Sequence, residues 1–463
     1  MTLRNDIFGC PVSMASTGDM DAWNQTQLGF LAHAAATPEH LGRAIASDPD
    51  FALPHICKGL FSLLLGKREL YDVALDAQKE ARKAIARRPV TQRENTFLEA
   101  LNKYNQGRPS HAAALLDGLV RHNPHDALAM KLVQAILFVL GDAQGMRSSI
   151  EHVIPHLTPD HAAYGYALGC HAFTLEETGE YRLAERIGRE GVAHTPNDAW
   201  GLHAVAHVHD MTNDVDAGLE WLLNRDAAWA HCNNFRYHVW WHLALMHLDR
   251  REIDAVFALY DGKIRHDKTD DYRDISNAAS LLSRLELEGI NVGDRWEELA
   301  ALSDNRTQDG CLAFADLHYM LSLVGGGRKD AASRLIARMR KDAKAEAVEM
   351  DAIMKHPGLS AAVGLEAFGE GNFTTAFRHL AGARDVMQTI GGSHAQRDVF
   401  DRLTIEAALR GGYHDAARRF IDSRTAQRGG AVDHFAASRL AELNRQQEIS
   451  VEMLHETRMA PAE

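Results

Sequence analysis

The chain is short of the residues that would mark it as a strand protein, a disulfide scaffold or a membrane protein. Only 12 of its 463 residues are proline and 7% are aromatic. Ala, Leu, Arg and Glu run in long stretches, so intrinsic preference favours helix over strand. Five cysteines (Cys10, Cys57, Cys170, Cys232, Cys311) are scattered without a Cys-x-x-Cys pair, which predicts free thiols in a reducing compartment and no thiolate metal cage. The longest apolar runs, such as 135–140, fall far short of a membrane span. The first residues, with Arg4 and Asp6, have no apolar core behind them, so no targeting segment is expected and a cytoplasmic, membrane-free protein is. Basic excess is absent as well. The formal charge is −13 with acidic residues spread along the chain, which predicts no nucleic-acid partner. His-Glu-x-x-His, a Walker-type Gly-Lys-Ser/Thr loop, a Gly-x-Ser-x-Gly elbow and a Rossmann glycine fingerprint are all missing, and common hydrolase, kinase and dehydrogenase chemistry loses its support with them.

What the chain does have is a period. With 46% apolar and 24% charged residues it can bury a large core. Pro89, Pro124 and Pro159 recur every 35 residues, within one residue of the tetratricopeptide length. A hairpin signature Gly-x-(Tyr/Phe)-x-x-Ala stands at Gly179, Tyr181, Ala184, at Gly371, Phe373, Ala376 and at Gly411, Tyr413, Ala416, with degenerate copies at Gly107, Ala112 and near Gly141. Glycine suits the tight turn, the aromatic fills the gap between hairpins, and alanine lets two helix backbones approach. The expected fold is all-α: tetratricopeptide-type hairpins stacked into a right-handed solenoid, each burying its apolar face against its neighbours. Hairpins are expected at 54–89, 92–124, 127–159, 163–196, 199–228, 236–266, 272–304, 310–345, 357–386 and 397–425. Residues 1–50 read as an irregular lead-in with a capping helix, 51–450 as one continuous solenoid and 451–463 as a frayed tail.

Histidine is concentrated in the middle. Seven of 26 fall between His203 and His247, where even spreading would put about two or three. His203 and His207 form one pair at i and i+4, and His238 and His242 form another. On a helix this spacing stacks two side chains on one face with Cβ atoms about 5 to 6 Å apart. The repeat register puts His203 and His207 at the fifth and ninth positions of their hairpin, which face the concave groove. His238 and His242 fall at the second and sixth positions of the next first helix, so the two pairs are expected to converge. Glu177 and Asp316 point inward by the same count and are the candidate oxygen ligands or proton acceptors. Imidazole with an optional carboxylate suits a transition metal, zinc or iron first, with copper and nickel behind. Local hydrogen bonding or helix packing is the competing explanation for the histidines. His209 and His247 sit at a core-packing position, and His231 lies in a connecting segment.

A second constellation is Gly391-Gly-Ser-His-Ala-Gln-Arg-Asp398. Ser393 is placed to cap the next helix, and Gln396, Arg397 and Asp398 are the candidate ligand-binding residues at its mouth, suited to an anionic group. The alternative is a capped helix start with a surface ion pair. Trp241 is either hairpin packing or one wall of a ligand platform.

Three stretches carry a family resemblance: 198–209, from Asp-Ala-Trp-Gly-Leu-His203 to His209, then His238-Val-Trp-Trp-His242-Leu-Ala-Leu, and 391–400. With them the chain resembles the tetratricopeptide repeat protein 38 family over residues 48 to 417. The resemblance implies a soluble, single-chain helical-repeat protein. It carries over His203, His207, His209, His238, His242, Gln396, Arg397 and Asp398 as pattern positions with no role attached, and His394 departs from an Asn at the matching place. Three functions stay open at this point. One is a protein holding a small molecule or peptide in its groove, with a histidine-built metal site. The second is a metal-dependent enzyme in which metal activates water and Glu177 or Asp316 acts as base. The third is a scaffold gripping a partner peptide.

Overall fold

The computed structural model of the chain describes residues 3–459, and side chains through Gln446. A short antiparallel strand pair, β1 (Arg4–Asn5) and β2 (Pro11–Val12), precedes α-helices that follow one another as hairpins. The first pair is α1 (Met20–Leu31) and α2 (Thr37–Ser47), where the sequence predicts a single capping helix. Ten hairpins follow at the expected places. They are α3 (Ala52–Leu64) with α4 (Arg68–Arg87), α5 (Gln92–Asn105) with α6 (Pro109–His122), α7 (Ala127–Val139) with α8 (Ala143–Val153), α9 (Tyr164–Glu177) with α10 (Tyr181–His194), and α11 (Ala199–Met211) with α12 (Val215–Leu222). The second half continues with α13 (Phe235–Asp249) and α14 (Ile253–Leu259), α15 (Tyr272–Leu287) and α16 (Arg295–Asn305), and α17 (Ala313–Gly325) and α18 (Lys329–Asp342). After a short α19 (Glu349–Ile353) come α20 (Leu359–Gly369) with α21 (Phe373–Arg384) and α22 (His394–Arg410) with α23 (His414–Gln427). The last helix, α24, runs from His434 to Met459, across the start of the expected tail; residues 460–463 lie outside the described ones. All five cysteines are buried free thiols.

The turn inside a hairpin is chemical rather than merely short. Gly179 takes φ +86 after α9, its N–H donates to the Glu176 carbonyl (2.9 Å) and the next N–H, of Glu180, reaches the Leu175 carbonyl (2.8 Å). These two hydrogen bonds satisfy two of the helix's orphan carbonyls and need a left-handed residue at the turn. Five residues on, Ala184 is fully buried where the two helices meet. The same spacing links Gly371 to Ala376. In the last hairpin the pattern lies one residue later than expected: Gly411 stays helical at φ −84, Gly412 takes φ +79, and Ala417 rather than Ala416 is the buried alanine. Asn213 (φ +54) and Arg251 (φ +61) do the same job at the ends of α11 and α13, where no glycine marks the turn.

Stacked hairpins bend into a superhelix, and its second turn lies directly against its first. The His33 carbonyl accepts from the Asn233 N–H (2.8 Å), Lys67 pairs with Asp270 (2.5 Å), and the Ser110 N–H donates to Glu349 (3.0 Å). Further along, the His394 N–H donates to Glu177 (2.8 Å), and Arg428 pairs with Asp210 (3.2 Å). Each contact joins residues about 200 to 240 apart in sequence, about six hairpins of tetratricopeptide length. The inner helices are therefore covered on all sides. Twelve residues of α9 and eleven of α11 are buried, so neither shows the half-polar face of a surface helix.

Candidate metal centre

Three helices build the site. Asp198 caps α11 by accepting from the Gly201 N–H (3.1 Å). At this point α9 and α11 touch backbone to backbone: a Cβ on Gly169 would lie 2.0 Å from the Asp198 carboxylate and 2.9 Å from the Gly201 Cα. Only glycine allows that approach. The crossing brings the last turn of α9, with Glu176 and Glu177, alongside His207. The next inner helix, α13, packs on the other side of α11 and supplies His238 and His242.

The four imidazoles meet through their Nε2 atoms. His203 Nε2 is 2.8 Å from His207 Nε2 and 3.0 Å from His238 Nε2, and His238 Nε2 is 3.3 Å from His242 Nε2. Ligand atoms of all four lie within 4.8 Å of one another. Tetrahedral zinc with Zn–N of about 2.0 to 2.1 Å requires neighbouring nitrogens about 3.3 Å apart, so the donor set fits an ion of that size with small adjustments. His203, His207 and His242 are at most 1% exposed and His238 is 8% exposed. Trp241 stacks on His238 (ring centroids 5.1 Å, 17° apart), and Phe173 stacks on His203 (5.8 Å, 21°).

The outer nitrogens fix the direction of the lone pairs. His238 Nδ1 lies 2.8 Å from Asn277 Oδ1. That oxygen can only accept, so Nδ1 carries the proton and Nε2 turns its lone pair inward. His207 Nδ1 faces Glu176 Oε2 at 3.4 Å with the same consequence. Burial, then the neighbouring imidazoles, hold His203 and His242 well below the ordinary histidine range, and burial pulls His238 down to about 3. Burial also pulls on His207, but the Glu176 carboxylate, with Glu177 behind it, outweighs this and holds it above its ordinary value. Nδ1 of His203, His207 and His242 and both oxygens of Glu176 are buried without a hydrogen-bond partner. Each such atom costs about 1 to 3 kcal/mol. The four convergent Nε2 atoms, with the Glu176 carboxylate behind His207, are the donor set that fits a cation, and the outer Nδ1 atoms take no part in it.

The remaining sequence candidates spread out. Glu177 adjoins the cluster and forms a second group with Glu176 and His207 whose ligand atoms lie within 4.8 Å of one another. Its carboxylate is turned to the second turn, accepting from the His394 N–H and standing 3.5 Å from Arg397. Asp316 is not brought to the histidines: it pairs with Arg338 (2.5 Å) between α17 and α18. That ion pair occupies the base assigned to it, because a buried carboxylate beside a guanidinium gains more from the pair than from facing a neutral imidazole. Gln396 closes a capping box with Ser393 at the start of α22. Asp398 is bound to Arg402 (2.7 Å) and Arg424 (2.5 Å) rather than paired with Arg397. Trp241, fully buried, is a wall of the histidine site. Glu176 and Asn277 were missed by sequence reasoning. Both sit on helices buried all round, and the only signal was a polar residue where no solvent face exists.

No family model matches the chain. Among solved structures, the human IFIT1 dimer with PPP-AAAA is similar at 12% identity, over 93% of this chain and 95% of that one, with a TM-score of 0.42. The human IFIT1 dimer with m7Gppp-AAAA stands at 13% identity, over 91% and 99%, with a TM-score of 0.37. The pentatricopeptide repeat protein PPR10 from maize stands at 11% identity, over 89% and 69%, with a TM-score of 0.24.

Proposed function

We propose that this helical-repeat protein binds one transition-metal ion, zinc first, through Nε2 of His203, His207, His238 and His242, and that the ion fastens α11 to α13. The observation that carries this reading is the meeting of four buried imidazoles, with three Nε2 to Nε2 separations of 2.8, 3.0 and 3.3 Å and ligand atoms of all four within 4.8 Å of one another. Neutral imidazoles can share single protons between their Nε2 atoms, and a bound ion would take the place of those shared protons at all four rings. A bound zinc would supply four-coordinate Lewis-acid binding and no redox chemistry. Asn277 and Glu176 then hold the rings of His238 and His207 in the ligating tautomer, and the Glu176 carboxylate offsets part of the ion's charge.

Four protein donors make a closed set, the arrangement of structural rather than catalytic zinc. The burial of all four rings supports metal binding over metal-activated hydrolysis. The motifs at 198–209, 238–245 and 391–400 support placing the chain with the tetratricopeptide repeat protein 38 family, and the free thiols support a reducing, cytoplasmic setting.

Elemental analysis of protein purified without a His-tag tests the reading. Close to one zinc, iron, copper or nickel per chain is expected, and none in the double variant His207→Ala, His242→Ala. A metal-free wild type that keeps full stability and takes up no added zinc would remove the proposal.

A further inference from the structure

The histidine quartet is sealed unequally. Trp241 and Phe173, which stack on His238 and His203, are at most 1% exposed, and His207 and His242 are fully buried. The largest exposure among the four rings is that of His238. Two aromatic residues stand on that side, each three residues before the first histidine of its pair: Trp200 on α11 and Phe235 on α13. Both are half-buried. Their rings border His203 with centroids 5.2 and 5.1 Å away, and Phe235 also borders His238 at 5.8 Å.

A fifth histidine lies against both of these rings. His33, in the loop between α1 and α2, stacks on Trp200 (ring centroids 5.4 Å, 14° apart) and on Phe235 (4.6 Å, 26°). Its loop is fixed in place: His33 takes φ +56, its carbonyl accepts from the Asn233 N–H, and the Ala35 N–H donates to the His231 carbonyl (2.9 Å). The His33 side chain is half-buried, but its Nε2 is shut from water and has no hydrogen-bond partner. Burial, with Lys131 and Arg273 adding to it, holds the imidazole well below the ordinary histidine range. The ring is therefore neutral near pH 7 and has a lone pair to offer.

We propose that zinc enters and leaves the quartet past Trp200 and Phe235, and that His33 is its transfer ligand, taking the ion from water and passing it to His203 and His238 as the Phe235 ring turns aside. The proposal rests on the metal-binding reading of the quartet. A dication crossing an apolar mouth pays heavily for lost water unless a donor meets it on the way, and His33 is the donor placed there. Phe235 is the ring suited to move. It opens α13 behind an N-cap that makes no side-chain bond, whereas Trp200 is wedged against Phe138 and Phe173. A group that touches the ion only in passage lowers the barrier equally in both directions and leaves the equilibrium alone.

Stopped-flow exchange on the full chain tests this, with uptake followed as zinc leaves a zinc-selective dye and release followed in excess chelator. His33→Phe keeps the stacking and removes the nitrogen. Uptake and release should both slow about tenfold or more, with Kd unchanged. Phe235→Leu, which thins the barrier, should speed both and serves if the first variant fails to fold. Wild-type rates in His33→Phe, faster release with weaker binding in that variant, or rates in Phe235→Leu no faster than wild type would each overturn the proposal. One zinc per chain, exchanged at rates indifferent to both variants, would remove the route and leave the metal centre standing. A wild type that takes up no zinc would remove both.

Discussion

The histidine quartet between α11 and α13 and the charge network at α22 and α23 are equally dry, yet they balance their polar atoms in opposite ways. In the network, two carboxylates face guanidiniums: Asp398 takes Arg402 and Arg424, and Asp433 takes Arg424 (2.6 Å), Arg402 (3.2 Å) and the Ala436 N–H (2.9 Å). Acceptors and donors of opposite charge sit side by side. Burial opposes the ionised form of Asp398, but Arg424 and Arg402 hold its carboxyl well below the usual range. The quartet instead gathers four groups of one kind, whose inner Nε2 atoms stand 2.8, 3.0 and 3.3 Å from one another along the chain of rings. A buried cluster of mixed sign completes itself and belongs to the fold; a buried cluster of like groups completes itself only in part.

Breaking the network should have the larger effect. Arg424→Met leaves two buried carboxylates short of their shared partner, and removing one member of such a set costs about 3 to 5 kcal/mol. Urea unfolding should show this loss with or without a chelator present. Chelation itself should act only on the quartet: at a hundredfold excess of free metal over Kd, the ion contributes about 2.7 kcal/mol. The wild type should lose that much with a chelator, and the double variant His207→Ala, His242→Ala should lose nothing further.

Acid should separate the regions again. Burial pulls His318 down to about 4, and it pulls His238 to about 3. Both folded values lie below the unfolded value of about 6.5, so the unfolded chain takes up the proton first and stability falls as pH drops below 6.5. Each buried histidine costs about 2 kcal/mol between pH 6.5 and 5 at 1.36 kcal/mol per pH unit. Asp398 keeps its contribution above an unfolded value of about 3.9 and loses it only as pH falls from there through the folded value. Over pH 7 to 5 the buried histidines of metal-free protein are opposed by carboxylates that burial raises into the same window, Asp198 and Asp274 to about 7 and Asp249 and Asp316 to about 6, and His318→Asn should lower the slope of unfolding free energy against pH by one proton's share.

Much of this was legible in the sequence because it rests on local spacing. Pro89, Pro124 and Pro159 fall in the connectors between hairpins, and the i, i+4 pairs at His203, His207 and at His238, His242 land on neighbouring inner helices. Other features depend on contacts that no local pattern encodes. Lys67 meeting Asp270 and Glu177 meeting His394 follow from the accumulated curvature of about six hairpins. The shift from Gly411 to Gly412 was hidden because only Gly411 stands two residues before a tyrosine, as the signature requires, and Asn213 and Arg251 take positive φ without any glycine to announce it. Asp316 was expected to face inward, but Arg338, one helix on, claims its carboxylate between α17 and α18.

The finest discrimination between the two regions lies in the residues behind the rings. In the charge network the side chains that hold the carboxylates are themselves charged partners, so removing one of them breaks a pair. The quartet does have an outer layer. Asn277 fixes the tautomer of His238 from 2.8 Å, and Glu176 faces His207 from 3.4 Å without touching the inner nitrogens. Partners of this kind change metal affinity about ten- to a hundredfold when removed, roughly 1.4 to 2.7 kcal/mol. Glu176→Gln keeps an oxygen that can accept from Nδ1 but loses the charge, and Asn277→Ala loses the acceptor altogether. In competition with a zinc-selective dye, Glu176→Gln should bind about tenfold more weakly and Asn277→Ala at least as weakly, both retaining one ion per chain when saturated. Unaltered affinity in both would mean that the four rings hold their orientation through Trp241 and Phe173 packing alone.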